Sequence, residues 1–244
     1  MNPEHSQHFV TTRWTRVMAA HGDSESARTA LAELCSAYYG PVVAYLAHTG
    51  CHPDEPREVA HEFFASLLTR HGVSGANPDR GRFRSYLLGA LKHFIANRRL
   101  HASREKRGGQ ADHLPIGAGT DTRSELPLPD ATPRLEAMFD HHWAMAVVER
   151  ALGLQESEAV AAGAADQFHV LKAWLSFESD PGSHAAAASQ LRMTEGAVRV
   201  AIHRLRRRFR EHVRAEIAQT LPAGSDVRAE LRHLIEALAT PPQP

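Results

Sequence analysis

Apolar positions recur every three or four residues along most of the chain, in blocks separated by short runs rich in Gly and Pro. That period is helical. In "VTTRWTRVMAA", Thr11 or Thr12 is placed to cap a short helix with Trp14, Val17 and Met18 on one face, and Gly22 stops it. Leu31, Leu34, Cys35 and Tyr38 mark a helix over 26–39; Pro41 restarts the chain, and Val42, Val43, Tyr45 and Leu46 continue the stripe. The loop "HTGCHPDEP" precedes a helix over 57–70 with Val59, Phe63, Phe64, Leu67 and Leu68 apolar. After the loop "HGVSGANPDRG", a long helix over 82–99 turns Phe83, Leu87, Leu91, Phe94 and Ile95 inward. The stretch 108–133 has no sustained period and is dominated by Gly, Pro and acidic residues, so it reads as a flexible linker. Helices resume with Leu135, Met138, Phe139, Trp143, Ala146, Val147 and Leu152, then with Phe168, Leu171, Leu175 and Phe177. Beyond the break "ESDPGS" come a short helix over 184–191, a tight turn, a longer helix from Thr194 to Leu221 and a tail helix over about 226–238.

This pattern predicts an all-α protein of two small helical domains. The expected layout is an N-terminal extension (1–21), a first domain (22–107), the linker (108–133), a second domain (134–221) and a tail (222–244). Composition agrees: the chain is 43% hydrophobic but only 7% aromatic, and its abundant alanine favours helix. No apolar run approaches the length of a membrane span, and the N-terminus lacks a basic region followed by an apolar one, so the expectation is a cytoplasmic protein with no membrane partner. With only Cys35 and Cys51, no disulfide framework is expected.

Charge changes the picture more. The formal net charge is zero, yet residues 80–107 hold nine basic residues against one acidic. Residues 110–166 hold three basic against ten acidic, and residues 192–214 eight basic against two acidic. Two separated basic segments around an acidic middle are the footprint of a two-site polyanion binder. Arginine dominates both, and its planar fork suits phosphate and base edges. In "TEGAVRVAIHRLRRRFREHVR", from Thr194 to Arg214, Val198, Ile202, Leu205 and Phe209 form one buried stripe, which leaves Arg199, His203, Arg206, Arg207 and Arg210 largely off it. The short "SHAAAASQL" helix, a tight turn at Leu191–Met193 and a cap at Thr194 complete a helix-turn-helix. The first turns of such a second helix meet base edges in the major groove, which places Glu195, Arg199, Val200 and His203 near bases and the later arginines near phosphates.

Other chemistries are not supported. "HEFFAS" begins like a zinc-protease motif, but Ala65 stands where the second histidine belongs. His48, Cys51 and His52 lack a fourth ligand, and no "GxxxxGK" loop is present. No metal, no cofactor and no catalytic residue is expected.

Three segments in order, "EVAHEFFASLL" (58–68), "DRGRFRSYLLGALKHFIANRRL" (79–100) and "TEGAVRVAIHRLRRRF" (194–209), resemble the extracytoplasmic-function sigma factors of bacterial RNA polymerase. The family's "DLxQExF" signature appears as Glu58 to Phe64, and its "FRxWL" run as Phe83, Arg84, Tyr86 and Leu87 followed by His93, Asn97 and Arg98. The helix-turn-helix signature matches at Leu191, Gly196, Val198, His203 and Arg204. The resemblance covers roughly 27–107 and 160–215. It departs at His61, Tyr86, Asn97 and Arg192, the last standing where the turn glycine is usual; an arginine there is expected to shift the turn backbone, because glycine is the easy residue at positive φ.

The resemblance implies that Glu58, His61, Glu62 and Phe63 face the clamp helices of the polymerase largest subunit. It assigns Arg80, Arg82, Arg84, Tyr86, Lys92, His93, Asn97 and Arg98 to the minus-10 element, and Thr194, Glu195, Arg199, Val200, His203, Arg204, Arg207 and Arg210 to the minus-35 element. The implied partners are core RNA polymerase (clamp and flap), promoter DNA and an anti-sigma protein. Two alternatives stay open: a stand-alone helix-turn-helix regulator that binds duplex DNA as a dimer, and a sigma-like protein that no longer initiates transcription.

Overall fold

The computed structural model describes residues 13, 25–49, 55–69, 82–105, 132–175, 183–222 and 224–239. Every regular element among them is helical. They are α1 (Glu25–Ala47), α2 (Pro56–Thr69), α3 (Phe83–Glu105), α4 (Thr132–Ala161), α5 (Ala165–Leu171, running into a 3-10 turn at Lys172–Leu175), α6 (His184–Leu191), α7 (Glu195–Ala218) and α8 (Val227–Ala239). The protein is all-α, as its periodicity predicts. The expected helix before Gly22, Arg13 apart, and the expected linker up to Ala131 lie outside the described residues.

One expected break is absent: α1 runs through Pro41 without interruption. Proline disfavours a helical residue before it mainly through that residue's Cβ. Here that residue is Gly40, which has none. Tyr38, Val42, Tyr45 and Leu46, all 1% exposed or less, hold both sides of the proline in the core.

The chain divides into two compact units, Met1–Ala146 with Ala218–Pro244, and Val147–Ile217. This boundary differs from the expected one at 133/134, and the aromatic core of the first unit gives the reason. The Tyr38 ring meets Phe83 edge-on at 5.0 Å and stacks with Phe139 at 6.4 Å, and Tyr45 meets Phe139 edge-on at 6.2 Å. Such pairs add about 0.5–1.5 kcal/mol each beyond the area they bury. Phe139 and Trp143 are fully buried, so the first half of α4 packs with α1 and α3. The apolar stripe of α4 shows that it has a buried face but not which neighbours cover it.

The segment from Ala218 onward falls in the first unit. The Phe83 amide donates to the Thr220 carbonyl at 3.1 Å, satisfying a donor in the first turn of α3 that has no partner within the helix. Leu221, Glu230 and Leu234 are buried in the same unit.

Candidate nucleic-acid interface

The second unit assembles the helix-turn-helix around one small core. Leu171 and Trp174 from α5 and its 3-10 extension, Ala187 and Ala188 from α6, and Val198 and Ile202 from α7 form it, with Leu191, Met193 and Leu205 packed alongside. The alanines of α6 admit α7 closely. Both helices start on side-chain caps: Ser183 Oγ accepts from the Ala186 amide at 3.1 Å, and Thr194 Oγ1 from the Ala197 amide at 3.2 Å. A cap of this kind contributes about 1 kcal/mol. Thr194 is thus occupied at its own helix end.

The turn between them keeps the left-handed geometry that a glycine would give. Arg192 sits at φ 53°, ψ 43°, its amide donates to Ser189 O at 3.3 Å, and the Met193 amide donates to Ala188 O at 2.9 Å. Those two bonds satisfy the last carbonyls of α6 in a Schellman arrangement. The expected backbone shift is therefore corrected: the turn is retained, and the arginine bears a strain of about 1–2 kcal/mol.

Along α7, Glu195, Arg199, Val200, His203, Arg204, Arg207 and Arg210 are all exposed. Arg199 pairs with Glu195 at 3.3 Å and Arg207 with Glu211 at 3.7 Å, both open surface pairs that a phosphate or a base can replace at little cost. No ion pair holds Arg204 or Arg210 among the described residues. Two other arginines of the segment, exposed as well, are tied back to the unit itself. Arg206 donates from Nε and Nη2 to the Trp174 carbonyl at 3.1 and 3.0 Å, tying α7 to the end of the 3-10 turn. Arg208 holds Glu158 at 2.9 and 2.6 Å, and His212 reaches the same carboxylate at 3.0 Å. The Arg208 bonds, before any other cause, hold the Glu158 carboxyl below the usual range.

Comparison with protein families, with curated proteins and with solved structures finds no match. The functional reading therefore stands on geometry.

In the first unit the candidate residues separate. Arg80 lies outside the described residues. From Arg82, just before α3, offsets of four, eleven and fifteen residues bring Tyr86, His93 and Asn97 to the same face. Arg84, Lys92 and Arg98 point elsewhere: Lys92 pairs with Glu136, Arg98 with Glu62, and Arg84 with Asp140 and Glu230. Arg84 is only 8% exposed, covered by Asp140, Trp143 and Glu230 of α8, so with α8 in place it does not face DNA, contrary to expectation. Burial pushes the Tyr86 phenol up to about 12, which keeps it neutral.

On α2, Glu58, His61 and Glu62 are exposed, and His61 meets the Tyr39 hydroxyl at 3.0 Å. Phe63 is 2% exposed and packs edge-on against Phe94 at 5.5 Å. It belongs to the core and not to a partner-facing surface.

Residues that the sequence reading missed are Glu230, Asp140 and Trp143, which surround Arg84, and His233, which reaches Asp140. Their only sequence signal is weak: Glu230 stands on the apolar side of α8, one turn before Leu234.

Proposed function

We propose that the chain is a sigma-type initiation factor, in which the first unit binds core RNA polymerase and the second carries α7 to the minus-35 promoter element. The observation that carries this reading is the capped helix-turn-helix whose second helix presents Glu195, Arg199, Val200 and His203 in its first turns, followed by Arg204, Arg207 and Arg210. In the major groove, the Arg199 fork fits the two acceptors of a guanine, and the Val200 methyls fit the methyl of a thymine. Arg204, Arg207 and Arg210 neutralise phosphates and release counterions. On α3, the face with Arg82, Tyr86, His93 and Asn97 offers a ring and polar groups to unstacked bases of the minus-10 strand. Glu58 and Glu62 are placed to pair with basic groups of the polymerase clamp. The chain itself performs no bond-making step under this reading.

The test is co-purification with core RNA polymerase, followed by run-off transcription from a library of candidate promoters. Stable association and transcripts with a shared start sequence support the reading. Duplex binding as a dimer without polymerase association would replace it with the stand-alone regulator.

A further inference from the structure

Glu230 is a fully buried carboxylate on α8, whose other residues, Leu234 apart, are exposed or half-buried. Its Oε2 forms an ion pair with Arg82 Nη1 at 2.5 Å, and its Oε1 accepts from Arg84 Nε at 3.3 Å. Arg84 also pairs with Asp140 and lies 5.1 Å above the Trp143 ring, and Asp140 in turn meets His233 at 2.9 Å. Two guanidinium groups at the start of α3 thus form an anion site, and one residue of α8 fills it.

We propose that α8 is an internal mimic of nucleic acid: Glu230 occupies a phosphate site formed by Arg82 and Arg84, and α8 is displaced when a DNA strand takes that site. The proposal rests on the sigma-type reading, because it adds regulation to the α3 face described there. Carboxylate and phosphate are recognised by the same bidentate geometry, so one replaces the other at a pair of arginines. Arg82, half-exposed, already lies on the face that carries Tyr86, His93 and Asn97.

The hold on α8 is of a kind that a polyanion can compete away. Besides Glu230, Leu234 is its only fully buried residue, while Arg228, Arg232, Ile235 and Glu236 are exposed. A buried ion pair contributes little net stability, because desolvation cancels most of the attraction. Exchange of one anion for another therefore costs little. The segment before α8 contains Pro222 and Gly224, the latter at φ +82°, so the helix is joined through a turn rather than by a continuous helix.

The experiment measures binding of the full chain to single-stranded and forked oligonucleotides across a salt series. Glu230→Gln should tighten binding about tenfold, the gain expected if the closed form is about ten times the more populated. The slope of log affinity against log salt should steepen by about 0.7 for each guanidinium that gains a phosphate. Arg82→Gln in the Glu230→Gln background should remove part of both gains. A folded Glu230→Gln protein with unchanged affinity overturns the proposal. If that variant melts, hydrogen exchange on the wild-type chain decides: with oligonucleotide bound, α8 should lose protection while α1 and α2 keep theirs, and equal protection of α8 overturns it. Polymerase association of the wild type is read separately, so a failed sigma reading is distinguishable from a failed mimic.

Discussion

Arg192 concentrates in one residue the tension between a local rule and a tertiary need. Its left-handed backbone closes the end of α6, and a side chain there is strained. Arg192→Gly should raise stability by about 1 kcal/mol in a denaturant titration, less than the full strain because glycine also loosens the unfolded chain. On α7 the residues differ in role by position. Arg199→Ala should cost roughly 1–3 kcal/mol at the preferred sequence and flatten preference at one or two base pairs. Arg210→Ala should weaken binding to all sequences alike and lower the salt slope by about one. Binding of the full chain to a promoter library at several salt concentrations separates them. The stripe of Val198, Ile202 and Leu205 was legible in the sequence because its spacing is local. The burial of Arg84 was not, because its partners Asp140 and Glu230 lie 56 and 146 residues away, and no local pattern records so distant a contact. The bond of Arg206 was not legible for the same reason, its acceptor being a backbone carbonyl 32 residues back.

Among the helices, existence was easier to read than partnership. The eight described helices fall where the hydrophobic period puts helix, the break expected at Pro41 apart, but the period does not say which unit α4 and α8 pack in. Two glycines inside helices show how context changes one substitution. A Cβ at Gly153 on α4 meets nothing within 4 Å, so Gly153→Ala should stabilise by roughly 0.5–1 kcal/mol. Gly40 on α1 has equal space, but it precedes Pro41, and Gly40→Ala should give no such gain. Thermal melts of the two variants make the comparison. The exposed face of α2 carries a different expectation: on the sigma-type reading, charge reversal at Glu58 and Glu62 together should weaken association with core polymerase while leaving duplex DNA binding intact. Glu62 pairs with Arg98 only at the surface, where such bonds add little to stability, so the fold should survive. Equal loss of both activities would mean that α2 itself had been damaged.

At the scale of the whole molecule, stability should fall on the acid side through a histidine. Burial, and then the neighbouring His141 and His48, hold His142 below its ordinary 6.5. Charging it therefore costs more in the folded chain than in the unfolded one. Its contribution is complete above 6.5 and is lost as pH falls through the lowered folded value. His142→Gln should shrink the drop in melting temperature between about pH 7 and about pH 5, the range in which histidine titrates. The two-unit division has a further consequence, for synthesis on the ribosome. The second unit, Val147–Ile217, is one continuous stretch and emerges complete. In the first unit Thr220 and Glu230, made after the second unit, meet Phe83, Arg82 and Arg84, made much earlier. Folding order is then the reverse of synthesis order. The leading half of the polypeptide therefore has to wait, exposed to chaperones and proteases, for the stretch after the second unit before its contacts to Thr220 and Glu230 can close.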